Sequence, residues 1–258
     1  MRRILTRLGI VFLAAFCSGL FAPAAAQSNP ADAATLFAEA NALYQEKQYA
    51  EAQDVYERIL SAGRANASVY YNLGNTHFKQ GHLGQAIANY LRAQRLSPRD
   101  PDVAENLRYA RSLQVDQGFA PPARSFTARL LFGLRDRYTF NELAFTATAL
   151  FWLFCLALAS VFWKRDHSML RSIAWILFFL YAIAAGITFA KHATLNRRSA
   201  VVISPKISVT SGPDAGTELF TLHEGTTAVV QRDHGSWVQI TLPNGLSGWA
   251  RRSDLEFL

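Results

Sequence analysis

Ala52-Gln53-Asp54-Val55-Tyr56 and Ala86-Ile87-Ala88-Asn89-Tyr90 are the two stretches that decide the architecture of this chain. Each puts an alanine four positions before a tyrosine, and the second follows the first by 34 residues. The same offset carries Ala40 to Gly74, Leu73 to Leu107 and Asn72 to Asn106. Self-similarity at a period of this length marks a repeat architecture, here one of paired helices. Small residues at Ala52, Gly74 and Ala86 let two helices approach closely, while Tyr56 and Tyr90 fill the space between neighbours. Start signals agree: Asn29-Pro30 and Asp100-Pro101 each set a capping residue ahead of a proline suited to the first helical position. A last helix from 101 to about 113 has no partner and closes the stack.

In the second unit Tyr70, Leu73, Gly74, Ala86, Tyr90, Ala93 and Pro98 occupy the small, aromatic and terminating positions of the tetratricopeptide repeat, which residues 27–115 resemble. The first unit is more degenerate, with Ala40 for the glycine, Ile59 for the later alanine and Arg64 for the proline. A generic array of helical hairpins is the alternative. The resemblance implies two repeats and a capping helix, with a concave face that takes a peptide or helix. Carried over residue by residue, that face holds Phe37, Asn41, Tyr44, Tyr71, Asn75, Phe78, Lys79 and Tyr109. Aromatic rings with amide donors suit an extended apolar segment, and packing is the competing role for each ring. The carboxylate clamp of chaperone-type repeats wants basic residues where this chain has Phe37, Tyr109 and Leu113, so an acidic C-terminus is not the expected partner.

Outward from the repeats the chain turns apolar. Charged residues make up 17% of it and apolar ones 50%, against about 25% charged in an average soluble domain, which excludes disorder and points to a membrane component. Two runs, 143–163 and 173–190, are long enough to cross a bilayer, which takes about 20 apolar residues; buried core helices are the alternative, but two uncharged stretches of this length are rare in soluble domains. Thr139-Phe140-Asn141-Glu142 introduces the first with a capping-box pattern. The spans are placed at 139–163 and 171–191, with 164–170 between them and 192–199 as a linker. Residues 1–26 read as a secretory signal peptide: Arg2, Arg3 and Arg7, an apolar run, then Ala24-Ala25-Ala26. An uncleaved anchor is the alternative there. Export from residue 27 makes 164–170 cytoplasmic, in keeping with its basic excess, and puts both large segments outside the cytoplasm. Residues 116–138 read as linker and juxtamembrane segment; 128–138 mixes leucines with Arg129, Arg135 and Arg137, as an interfacial helix or a plain connector would.

After Ser199 the period changes from helix to strand. Short β-rich runs at 200–203, 207–210, 219–222, 227–230, 237–242 and 246–250 surround a hairpin signal, Pro243-Asn244-Gly245. Gly225-Thr226, Gly235-Ser236-Trp237, Asn244-Gly245 and Gly248-Trp249 together look like the bacterial SH3-like domain over 200–258. The resemblance implies a small barrel with Trp237 and Trp249 as core or groove aromatics. Some members bind cell-wall peptides, but a fold does not carry a function with it, and a structural or protein-docking role is the favoured reading.

No chemistry is expected. The six histidines show no His-x3-His or His-Glu-x2-His spacing, and the chain lacks a Gly-x4-Gly-Lys phosphate loop and a Gly-x-Ser-x-Gly elbow. Asp233-His234 with Ser236 reads as a turn before Gly235 rather than a triad. The sequence expectation is therefore a multi-domain chain: all-α tetratricopeptide repeats, a two-helix transmembrane hairpin and a small all-β SH3-like barrel. This order resembles the BatE-like family of the Bacteroides-aerotolerance operon. The resemblance implies a non-enzymatic scaffold in the bacterial inner membrane, without cofactor, beside von Willebrand-type membrane proteins and a MoxR-type ATPase. A cell-wall sensor binding peptidoglycan and an envelope assembly chaperone are the alternatives. The formal charge of +7 does not imply a nucleic-acid partner. Residues 128–199 hold nine basic and three acidic residues, 27–127 hold ten of each, and 200–258 hold four and six, so the excess sits at the bilayer and the leader.

Overall fold

The computed structural model describes residues 30–117, 119, 125–163, 168–214 and 216–258. The leader at 1–26, the expected cap Asn29 and residues 164–167 of the inter-span loop lie outside the described residues. Helices α1 (Pro30–Gln45), α2 (Tyr49–Ser61), α3 (Ala67–Lys79), α4 (Leu83–Leu96) and α5 (Pro101–Ser112) form two hairpins and a closing helix. Local chemistry sets their starts. The Asn66 side chain accepts from the Val69 amide at 2.9 Å, and Asp100, ahead of Pro101, accepts from the amides of Asp102 and Val103. Tyr56 and Tyr90 are buried between the hairpins. A Cβ at Gly74 would lie 2.7 Å from the Tyr90 ring, which is why the second unit needs glycine there.

Helix α6 (Phe126–Arg137) precedes α7 (Phe140–Trp163) and α8 (Ser168–Leu195), which pack against each other as an apolar hairpin. Both are long and apolar enough to cross a membrane. The capping box forms as expected: the Thr139 amide donates to Glu142 at 2.8 Å, and the Glu142 amide donates to the Thr139 hydroxyl at 3.3 Å.

The C-terminal part is an antiparallel sheet of seven strands: β1 (Ser199–Val202), β2 (Lys206–Thr210), β3 (Glu218–His223), β4 (Thr227–His234), β5 (Trp237–Thr241), β6 (Ser247–Arg251) and β7 (Leu255–Phe257). Its order is β3-β2-β6-β5-β4-β1-β7, so β3 and β7 are edges and the strand pairing does not close into the expected barrel. Alternate residues face a core containing Val202, Val209, Leu222, Val238, Ile240 and Ala250. Strand β7 has no counterpart among the expected runs. Its three residues are too few to show a period, and it forms by pairing with β1.

The sheet and the second repeat share a core, an arrangement absent from the sequence expectation. Val201 and Leu258 pack among Ala86, Ile87, Ala88 and Tyr90 of α4 and Leu107 and Ala110 of α5. The Gly84 amide, at the start of α4, donates to the Glu224 carboxylate at 2.7 Å. A side chain at Gly84 would overlap the Val202 carbonyl, so the close approach itself requires glycine. Arg92 donates to Glu256 at 2.6 Å and to the Phe257 carbonyl, and Arg95 donates to the Ser199 hydroxyl at 2.8 Å.

The segment after α5 is pinned to the sheet as well. Gln114 donates to the Gly225 carbonyl. Asp116 accepts from the His223 amide at 2.6 Å and the Thr226 hydroxyl at 2.8 Å, and lies 2.9 Å from His223 Nδ1. Burial alone would raise the Asp116 carboxyl, but these hydrogen bonds and the His223 ring outweigh it and hold the group below the ordinary carboxylate range.

Candidate partner-binding groove

Four helices of the repeat unit surround a depression of about 360 Å³. Tyr44 comes from α1; Tyr71, Asn75, Phe78 and Lys79 from α3; Tyr90 from α4; and Asn106 and Tyr109 from α5. Six of the eight residues expected on the concave face therefore line one depression: Tyr44, Tyr71, Asn75, Phe78, Lys79 and Tyr109. Phe37 and Asn41 lie outside it. Phe37 packs edge-on against the Tyr56 ring, with centroids 6.1 Å apart. Asn41 accepts from the Tyr56 hydroxyl at 2.6 Å and from Asn72 Nδ2 at 2.8 Å, so its carbonyl is committed to holding the first repeat together.

The lining includes a repeat of that same network. Asn75 Oδ1 accepts from the Tyr90 hydroxyl at 2.7 Å and from Asn106 Nδ2 at 2.9 Å, and Asn106 also donates to the Tyr71 hydroxyl at 3.0 Å. Asn41, Tyr56 and Asn72 advanced by 34 are Asn75, Tyr90 and Asn106. Sequence reasoning missed Tyr90 and Asn106 as groove residues, although both sit on the offset. The signal available was that Tyr56–Tyr90 and Asn72–Asn106 obey one period and so face one side.

Electrostatically the groove is simple. Burial raises the Tyr90 phenol, with Tyr71 and Tyr44 adding to it, and burial pushes the Tyr56 phenol up to about 12. Both stay neutral donors at physiological pH. Lys79 is the one charged residue of the lining, at the rim and exposed. Tyr109, with its ring 5.7 Å from that of Phe78, is 57% exposed. Such a surface offers stacked rings, a spare amide N–H on Asn75 and one cation. It can hold a peptide backbone and apolar side chains, and it pairs no nucleophile with a base.

Residues 37–101 match the tetratricopeptide repeat family. The match runs from within α1 through α4, and repeats of this kind generally mediate binding to proteins. No curated protein matches the chain.

Trp237 and Trp249 stand outside the sheet core. Both sit on the outward face of β5 and β6, where Trp237 is paired with Arg251 and Gln239 with Trp249. Trp237 Nε1 donates to Asp214 at 2.8 Å, and Arg251 lies 5.7 Å above its ring. Trp237 and Arg251, with Asp214, Ser236, Arg252 and Ser253, line an open depression of about 630 Å³ that does not include Trp249. Asp233 in the nearby hairpin takes Arg198 at 2.5 Å and Arg252 at 2.6 Å, and Gly235 turns the chain with φ +60°. Asp233 is an ion-pair hub beside a turn.

Proposed function

We infer that the chain is a non-enzymatic adaptor of the bacterial inner membrane, whose repeat groove binds a protein partner outside the cytoplasm. The observation that carries this reading is the depression built by Tyr44, Tyr71, Asn75, Phe78, Lys79 and Tyr109 on repeats of a protein-binding family. The order of repeats, apolar hairpin and sheet supports a Bat-type assembly with von Willebrand-type membrane proteins and a MoxR-type ATPase. The occupant is then an extended, largely apolar segment of such a partner, with an acidic group facing Lys79.

The test must spare the fold. Tyr71 and Phe78 also pack against the helical core, so their removal confounds binding with stability. Lys79→Glu and Tyr109→Ala change the exposed rim. Both variants should keep the wild-type unfolding profile and lose co-purification with a von Willebrand-type protein encoded nearby; undiminished co-purification rejects the groove.

A second reading, a cell-wall sensor with an SH3-like wall-binding module, is favoured by the outward Trp237–Arg251 pair over its open depression. Sedimentation of the full chain with purified sacculi, lost on Trp237→Ala, would support it. The full chain is the right reagent because Val201 and Leu258 belong to the core shared with the repeats.

A further inference from the structure

Helix α6 buries none of its residues. At 100° per residue its twelve positions sort into two working faces. One carries Ala128, Phe132 and Arg135 and lies toward α8: Arg135 Nη1 donates to the Thr194 hydroxyl at 3.2 Å, and its guanidinium lies 4.5 Å from the Phe132 ring centre. The other carries Phe126, Leu130, Leu131 and Leu134, all between 39% and 73% exposed, with the exposed Thr127 among them and no described residue over them. Arg129 and Arg135 flank this apolar face on opposite sides, and Arg137 stands on it in the last turn. Arg129 and Arg137 form no ion pair among the described residues.

The level of α6 is fixed at both ends of the hairpin. Its C-terminus runs through Tyr138 and Thr139 directly into α7, and Arg135 holds it to Thr194 in the last turn of α8. The helix thus lies where both apolar segments begin and end. Arg99 of the α4–α5 turn pairs with Glu142 at 2.5 Å and lies 5.3 Å from the Tyr138 ring centre, tying the repeats to the same level.

We propose that α6 is an interfacial helix that binds anionic phospholipid, seating Phe126, Leu130, Leu131 and Leu134 at the acyl boundary and presenting Arg129 and Arg137 to lipid phosphates. The proposal rests on α7 and α8 spanning the bilayer. An uncovered apolar face fixed at a bilayer boundary lowers its free energy by entering the headgroup region, and flanking arginines reach outward to anionic groups while their stems stay apolar. With Arg99 on Glu142, the anchored helix sets the height of the repeat groove above the membrane.

The full chain carrying Cys17→Ser and Cys155→Ser receives one cysteine at Leu130, Leu134, Asp136 or Leu156. It is then nitroxide-labelled and reconstituted into phosphatidylcholine vesicles containing phosphatidylglycerol. Collision with oxygen should exceed collision with a nickel chelate at Leu130, Leu134 and Leu156, and the reverse should hold at Asp136. Water-like values at Leu130 and Leu134 beside lipid-like values at Leu156 overturn the interfacial helix while the spans stand. Water-like values at Leu156 reject the spans and the helix assignment together. Dipolar broadening between labels at Leu130 would place a second copy over the face and also overturn the proposal. For headgroup preference, Arg129→Gln with Arg137→Gln should lower phosphatidylglycerol retention on the detergent-released chain, read by native mass spectrometry, on the order of tenfold. Equal retention overturns the anionic assignment.

Discussion

The two repeats are built on one plan and differ in what each has been made to support. Asn41, Tyr56 and Asn72 tie α1, α2 and α3 together, and Asn75, Tyr90 and Asn106 tie α3, α4 and α5 in the same way. Beyond that network they diverge. The second repeat carries the sheet on α4 and α5, uses Gly74 at a close helix approach and Gly81 at a left-handed turn, and buries His77. At the matching positions the first has Ala40, Lys47 and Leu43, and among the described residues no strand residue joins its core. The period alone specifies the hairpins. The departures from it mark the repeat that was adapted to a neighbour.

The largest test of that division removes the central tyrosines. Tyr56→Ala and Tyr90→Ala should each cost about 3–5 kcal/mol, since both rings are buried and their hydroxyls serve an asparagine. Their reach should differ. Hydrogen exchange of the full chain should show β1 and β7 losing protection in Tyr90→Ala and keeping it in Tyr56→Ala. Equal loss in both variants would mean that the whole repeat unit, rather than its second half, supports the sheet.

Acid should separate the repeats next. His77 is buried, its Nδ1 has no hydrogen-bond partner among the described residues, and its ring is 6.0 Å from that of His82. Burial first, then His82, lowers its pKa to about 4, with Glu256 opposing and Arg92 assisting. With its pKa depressed in the folded state, this histidine binds a proton in the unfolded chain first as the pH falls. Its stabilising contribution, up to ~3 kcal/mol, is full above about pH 6.5 and is lost as pH falls towards about 4. Replacing it with the residue used 34 positions earlier, His77→Leu, should flatten the pH dependence of unfolding in that window. A slope unchanged by the substitution would assign the acid sensitivity to another group.

How much of this was legible follows from which interactions are local or periodic. The hairpins, the capping box at Thr139 and Glu142 and the alternation of β5 could be read from spacing alone. The shared core could not. Ile87 and Ala88 look like an ordinary helix surface, and nothing in sequence links them to Val201, more than a hundred residues away. Asp116 shows the same limit, because a lone acid in an aperiodic stretch carries no sign that it will meet His223 and Thr226. In the groove, reading Phe37 and Asn41 by position treated the first repeat as equal to the second. Asn41 instead holds Tyr56 and Asn72.

A smaller effect separates the repeats at the helix crossing. In Gly74→Ala the new Cβ would lie 2.7 Å from the Tyr90 ring, and overpacking of this kind costs about 1–3 kcal/mol. Ala40→Gly, which gives the first repeat the glycine of the second, should cost about 1 kcal/mol through helix propensity. Denaturant titration of the two variants should therefore rank Gly74→Ala as the more harmful. The reverse order would show that the Tyr90 ring moves aside freely, and that the close packing of α3 on α4 is not what demands glycine.

The smallest effect carries the opposite sign. Lys47 turns the chain between α1 and α2 with φ +64°, and Gly81 does so between α3 and α4 with φ +83°. The two positions are 34 residues apart, so one backbone turn is made by a lysine in one repeat and by a glycine in the other. A left-handed conformation costs an L-residue roughly 1–2 kcal/mol that glycine avoids, partly offset by the greater freedom glycine has when unfolded. Lys47→Gly should therefore stabilise the chain by about 0.5–1 kcal/mol, and Gly81→Ala should destabilise it by a similar amount. The pair is informative because the Lys47 side chain is exposed and its removal exposes no core. A loss of stability on Lys47→Gly would mean that the lysine contributes through its side chain. The first repeat would then be specialised at this turn instead of merely degenerate.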